Sequence, residues 1–291
     1  MSSSRAYLRP VMNRKNLTVI TKAQATRVLF EDNQAIGIEF NKNKKIHQVK
    51  ASREVILTAG AINSPQLLQL SGIGPESVLK KANIPILHHS PEVGKNLQDH
   101  LGVSYFYKSK VPTLNDQLRP WWGKLLQGVR YILTRTGPLS LSVNQSGGFV
   151  RTRDGLKTPN IQLYFSPVSY SHELPGRRAM LKPDSFSAVL LGVSNCKSNS
   201  RGQIRIKNNN PLEAPIIEPN YLSHQGDVQD LLEGVKLLRK LAQTKSFSEV
   251  IYDEFRPGPD CKSDAELTED IKENAWTVFH PSSTCRMGPD P

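Results

Sequence analysis

The segment Glu54-Val55-Ile56-Leu57-Thr58 constrains the fold more than any other stretch of this chain, because it runs apolar without alternating. A strand of that kind is buried on both faces, the habit of parallel sheets covered by helices. Ala59-Gly60-Ala61 follows as a tight turn, and then a helical pattern in which Ile62, Pro65, Leu67, Leu68 and Leu70 supply an apolar surface that ends before Gly72. Pro65 is expected in the first turn, where a missing N–H costs nothing. Strand, turn and helix make one α/β unit. Upstream, Leu17–Thr21, Arg27–Phe30 and Ala35–Phe40 read as short strands of an antiparallel meander, with Glu31-Asp32-Asn33 as the turn between the last two.

From Leu101 to about Asn195 the segments lengthen and alternate, Ile161–Phe165 and Phe186–Leu191 among them, which predicts a broad antiparallel sheet. One helix interrupts it from about Trp122 to Leu133, carrying Leu125, Leu126, Val129, Ile132 and Leu133 on one side, with Gly137-Pro138 beyond its end. Gln203–Ile206 alternates like an exposed strand. Asp227 to Gln243 follows as a helix: Val228, Leu231, Leu232, Val235 and Leu238 recur at helical spacing, and Lys236, Arg239 and Lys240 favour its C-terminal end. The fold class is a mixed α/β, or α+β, architecture.

Composition narrows the function. The formal charge is +12, yet the basic residues are scattered, and the tightest cluster, Asn41–Lys45, reads as a solvated hairpin tip without interleaved aromatics. No nucleic-acid partner is expected. Cys196, Cys261 and Cys285 lie far apart without C-x-x-C pairing, so neither a zinc site nor a disulfide framework is expected, and the metal expectation is none. The longest apolar run, Ala188–Val193, is far short of the ~20 residues of a transmembrane segment. The first ten residues lack the apolar centre of a secretion signal, which leaves the cytoplasm, or the periphery of the inner membrane, as the expected location.

Two glycine-bearing stretches invite a phosphate-binding reading. Gly72-Ile73-Gly74-Pro75-Glu76-Ser77 lacks a third glycine and follows a helix instead of a strand, so it is rejected. Leu57 through Pro65 is better placed, since small residues let backbone approach a ligand and the next helix offers free N–H groups to negative charge. Alone, this stretch reads more readily as a packed strand-to-helix turn than as a ligand loop.

It does not stand alone. Residues 60–74, Gly-Ala-Ile-Asn-Ser-Pro-Gln-Leu-Leu-Gln-Leu-Ser-Gly-Ile-Gly, resemble the second signature of the glucose-methanol-choline (GMC) oxidoreductases. Three further segments resemble that family in the same order: Ala6–Pro10 with Asn16-Leu17-Thr18-Val19 behind it, Val93–His100, and His280–Gly288. Thr113–Leu118 and Gly137-Pro138-Leu139 are most similar to bacterial choline or alcohol dehydrogenase-like members. The resemblance implies a partial GMC flavoprotein: a remnant of the FAD-binding Rossmann-like domain, and a substrate domain with a large antiparallel sheet flanked by helices. It implies an FAD-dependent oxidation of an alcohol, with His280 at the position that faces the flavin and handles the hydroxyl proton. An imidazole suits that task because it titrates near neutrality. The resemblance also implies that the main chain at Ala25 meets the adenine, that Ala59 and Gly60 lie beside the ADP half, and that Asn96 and Asp99 belong to a segment near the flavin. Asp99 and His100 read equally as a structural pair that orders a crossover.

Where the chain departs from the family, the Gly-rich pyrophosphate loop and the closing segment with a second catalytic His or Asn are not found. The expectation is a fragment of about half a family member, divided as residues 1–100 (remaining FAD-binding region), 101–195 (substrate sheet) and 196–291 (C-terminal region). Such a chain is expected to be marginally soluble and to retain little FAD, and a non-catalytic module of the same fold is the alternative. A small-molecule alcohol is the expected substrate, with a quinone, oxygen or a carrier as electron acceptor.

Overall fold

The computed structural model describes residues 2–170 and 182–288. Its regular elements run β1 (Gln24–Glu31), β2 (Gln34–Lys42), β3 (Lys45–Lys50), α1 (Gly60–Leu70), β4 (Ile73–Gly74), α2 (Glu76–Lys81), β5 (His88–His89) and β6 (Leu101–Ser109). There follow α3 (Leu114–Leu118), α4 (Trp121–Thr134), β7 (Ser146–Val150), β8 (Ile161–Ser166), β9 (Ala188–Asn195), β10 (Gln203–Arg205) and β11 (Ile216–Glu218). The last are α5 (Gln225–Ala242), α6 (Lys245–Ser248), β12 (Ile251–Arg256), α7 (Asp264–Asn274) and β13 (Trp276–Thr277). They divide between two compact units: Met1–Leu97 with Gln203–Glu218 and Ser283–Pro291, and Gln98–Gly202 with Pro219–Ser282.

In the first unit β1, β2 and β3 form an antiparallel meander displaced along the sequence from the expected one. Leu17–Thr21 is not a strand. The third strand is instead Lys45–Lys50, because Asn43 and Lys44 both take positive φ (53° and 63°), the geometry of a two-residue hairpin loop. The Asn41–Lys45 cluster is therefore a hairpin tip, as expected.

The constraining segment Glu54–Thr58 is likewise not a strand. Among the described residues no neighbour pairs with it, and Ile56 is 72% exposed. A strand exists only where another backbone takes its N–H and C=O groups, and apolar side chains alone do not supply one.

Helix α1 does form, but Pro65 is its sixth residue, in the second turn. Its buried face also differs from the apolar pattern: Gln66 and Gln69 are buried along with Pro65, Leu67 and Leu70. Gln69 is wholly buried and its amide is fully used, donating to the carbonyls of Val93 (3.2 Å) and Ile204 (3.1 Å) and accepting from Ile206 N–H (2.8 Å). The strand expected to be exposed at Gln203–Ile206 is accordingly inward-facing at Ile204.

The second unit is built on an antiparallel sheet of order β12-β6-β9-β8-β7, with β13 also paired to β6. Central β9 begins two residues after the expected Phe186 and is buried along all of its length. Helix α5 covers the sheet, placing Leu231, Val235 and Leu238 against Tyr105, Ile161 and Val193. At the sheet's rim Arg239 forks onto Glu254 at 2.5 and 3.0 Å, and the Tyr107 hydroxyl donates to the same carboxylate at 2.9 Å.

Helix α4 runs over almost the expected range, but its apolar side faces outward. Leu125, Leu126, Val129, Ile132 and Leu133 are all exposed, while the opposite side, at Gly123, is buried.

Candidate active site

His280 is delivered by an irregular segment whose course is dictated hydrogen bond by hydrogen bond. Trp276 and Thr277 pair with Gly102 and Leu101 at the start of β6. Val278 N–H donates to the His100 carbonyl at 3.2 Å, and Gln98 and Ser282 exchange backbone bonds of 3.1 and 2.9 Å. Between these ties Phe279 takes φ +59°, a left-handed conformation that a bulky residue keeps only when its surroundings hold it there. His280 follows with its side chain exposed.

The Asp99 carboxylate holds this turn. One oxygen accepts the backbone N–H groups of His280 and His100, each at 2.8 Å. The other accepts the Tyr221 hydroxyl at 2.7 Å and the Thr277 hydroxyl. Four donors engage a group with about four lone-pair sites, so Asp99 is saturated within the protein. Burial, together with the Asp99 charge, pushes the Tyr221 phenol up to about 12, so it remains a donor throughout the physiological range.

His100 adds a second imidazole, its ring edge-on to that of His280 with centroids 5.6 Å apart. Its Nδ1 lies 2.8 Å from the Asn195 carbonyl, which can only accept, so Nδ1 carries the proton and a neutral His100 keeps its lone pair on Nε2. The side chain of Asn195 accepts Leu101 N–H at 2.9 Å, which joins this arrangement to the central strand.

The remaining expected site residues, Ala25, Ala59, Gly60 and Asn96, belong to the first unit. Ala59 caps α1 without any side-chain hydrogen bond, and both Ala59 and Gly60 are exposed. Gly60 has φ +78°, and a Cβ built on it would meet nothing within 4 Å. A bare helix terminus beside open space, preceded by the exposed Ile56, fits a large group with an anionic part and an apolar part. Ala25 lies in β1 opposite Phe40, at a register shift in the ladder. Asn96 has φ +61° and donates to Glu92 at 2.6 Å; Glu92 also pairs with Arg286 at 3.1 Å. Those two partners, Asn96 before Arg286, hold the Glu92 carboxyl below the usual range.

Thr284 is a residue whose role the sequence did not expose. It is almost fully buried, and its hydroxyl donates to the Ala61 carbonyl at 2.5 Å. In a regular helix that carbonyl would accept the N–H of residue 65, which is a proline. Pro65 thus orphans an acceptor in the first turn of α1, and Thr284 satisfies it. The signal was present in the sequence as a helix-interior proline, but nothing local pointed to a threonine 219 positions later. Thr284 also accepts Gly94 N–H on its carbonyl at 2.8 Å, at a glycine whose Cβ would lie 2.2 Å from the Ile204 oxygen.

Two family models described as GMC oxidoreductase match the chain, one over residues 1–102 and one over 198–291. The alcohol dehydrogenase [acceptor] of Pseudomonas putida is 40% identical over 293 residues, covering 100% of this chain and 52% of that protein. The oxygen-dependent choline dehydrogenase of Vibrio vulnificus (strain YJ016) is 40% identical over 290 residues, covering 99% and 50%. The chain therefore spans about half the length of these relatives. Among solved structures, pyridoxine 4-oxidase from Mesorbium loti superposes with TM-score 0.84 at 28% identity, covering 100% of this chain and 52% of its own. Formate oxidase shares the fold, with TM-score 0.83 at 23% identity over 93% of this chain and 51% of its own. The two family models together match most of the sequence, and the chain belongs to the GMC oxidoreductases, a family of FAD-binding flavoproteins.

Proposed function

We propose that this chain carries the proton-handling part of an FAD-dependent oxidoreductase acting on CH–OH donors, with His280 as the group that accepts the hydroxyl proton. The names of its relatives support an alcohol or choline-type substrate. The observation that carries the reading is the Asp99 clamp, which commits a saturated carboxylate to holding the backbone of one exposed histidine.

Bound FAD supplies the two-electron acceptor that an alcohol oxidation requires. Ala59 and Gly60 would hold its anionic part at the bare terminus of α1, with Ala25 and Asn96 as further contacts. His280 takes the hydroxyl proton on a free ring nitrogen as the carbon gives up its hydride, and then keeps the positive charge. Asp99 fixes where that ring starts from. The His100 ring lies edge-on beside it, with centroids 5.6 Å apart.

The test is a chimera that joins this chain to the remaining sequence of a full-length relative. His280→Ala should slow alcohol-driven flavin reduction by at least ~100-fold, the low end for a positioned acid–base group. An unchanged rate removes His280 from the mechanism. FAD binding is tested separately in the chimera: Gly60→Val puts a branched side chain into the open space at a position of φ +78° and should weaken FAD binding, read by flavin fluorescence quenching.

A further inference from the structure

We propose that helix α4 is an interfacial membrane anchor that lies in the surface of an anionic bilayer. At 100° per residue the apolar residues Trp121, Trp122, Leu125, Leu126, Ile132 and Leu133 fall within an arc of about 140° on the helix. In a soluble protein that arc would face the core. Here exposures run from 57% at Leu126 to 76% at Trp121 and Leu133. The helix is seated by its other side: a Cβ on Gly123 would lie 2.1 Å from the Gln117 carbonyl oxygen, and Gln127 and Tyr131 are half-buried. The apolar face is thus held outward. Leu139 and Leu141, exposed by 50% and 58%, extend the apolar surface beyond the helix end.

Charge identifies the occupant. Lys124 borders the apolar arc on one side and Arg130 on the other, with Arg119 just before the helix and Arg135 at its C-cap; all four are exposed. From Gln117 through Arg153 the sequence contains no Asp or Glu. Tryptophan and leucine on one face with cations along its borders is the composition of a helix lying between headgroups and acyl chains, where Lys and Arg stems reach up to lipid phosphates. A second copy of this face would bring cations against cations, which argues against self-association as the cover.

The chimera with the remaining sequence of a full-length relative, in which any other cover for this face is present, is tested with sedimenting vesicles of phosphatidylcholine, with and without phosphatidylglycerol. Binding should be at least ~10-fold stronger to the anionic vesicles, weaken with salt and shift tryptophan emission to the blue. Leu125→Glu with Leu126→Glu should lower that binding by at least ~10-fold; both side chains are exposed, and an unchanged far-UV circular dichroism spectrum shows that the fold is kept. Equal binding by this variant would overturn the proposal by placing the contact elsewhere. Absence of binding to either vesicle would overturn it too, as would a dimer that the two glutamates dissociate without any vesicle binding.

Discussion

Asp99 accepts the backbone N–H of His280 at 2.8 Å across 181 residues of sequence, and the same oxygen accepts His100 N–H at 2.8 Å. Neither histidine is positioned through its ring by this carboxylate. The clamp acts on the backbone, and it fixes the origin of the His280 side chain.

Asp99→Asn offers an amide with two donor hydrogens where the carboxylate met four donors, so at least one donor loses its acceptor. A loss of about 1–3 kcal/mol is expected, measured by denaturant unfolding of the chain. In the chimera the same change should lower kcat more than it raises KM, because it displaces His280, the proposed proton acceptor.

Tyr221 supplies a pH signature. Its folded-state pKa is raised to about 12 against about 10 for an unfolded tyrosine, so its stabilisation is complete below pH ~10 and is lost as the pH rises toward 12. The thermal midpoint of the chain should fall more steeply over that window than that of Tyr221→Phe, which has no phenolic proton to lose.

Thr284 and Pro65 should be coupled. Thr284→Val leaves the Ala61 carbonyl unpaired and should cost about 1–3 kcal/mol. With Pro65→Ala in place, residue 65 regains an N–H for that carbonyl, so the Thr284→Val penalty should shrink. Additive effects in the double-mutant cycle would show that the two positions are independent.

Asp227 is buried at the start of α5 and accepts from Ser198 Oγ, from both nitrogens of Asn199, and from Ser200 N–H and Oγ, at 2.6 to 3.2 Å. Burial by itself would raise its pKa, but the hydrogen bonds led by Ser200 outweigh that and hold it below the usual value. Its contribution is therefore present above the unfolded value of about 4 and is lost as the pH falls through the lowered one. Asp227→Ala should destabilise the chain by about 2–4 kcal/mol at neutral pH and should flatten the acid limb of the stability profile.

By itself the sequence determined the elements whose cause is local: α5 from its apolar spacing, α4 from its amphipathic pattern, the hairpin tip at Asn41–Lys45 from its solvated basic cluster, and the family from four ordered motifs. What depends on a distant partner was decided only by the tertiary structure. Glu54–Thr58 is apolar enough for a strand, yet among the described residues it meets no backbone to pair with. The polar face of α1 is buried because Gln69 has carbonyls to satisfy from two remote segments. The apolar face of α4 points outward because Gly123 seats the opposite side, and periodicity records only that two faces differ, not which one the protein covers. Asp99 and His280 meet because β13 pairs with the start of β6, a long-range pairing that no local pattern encodes.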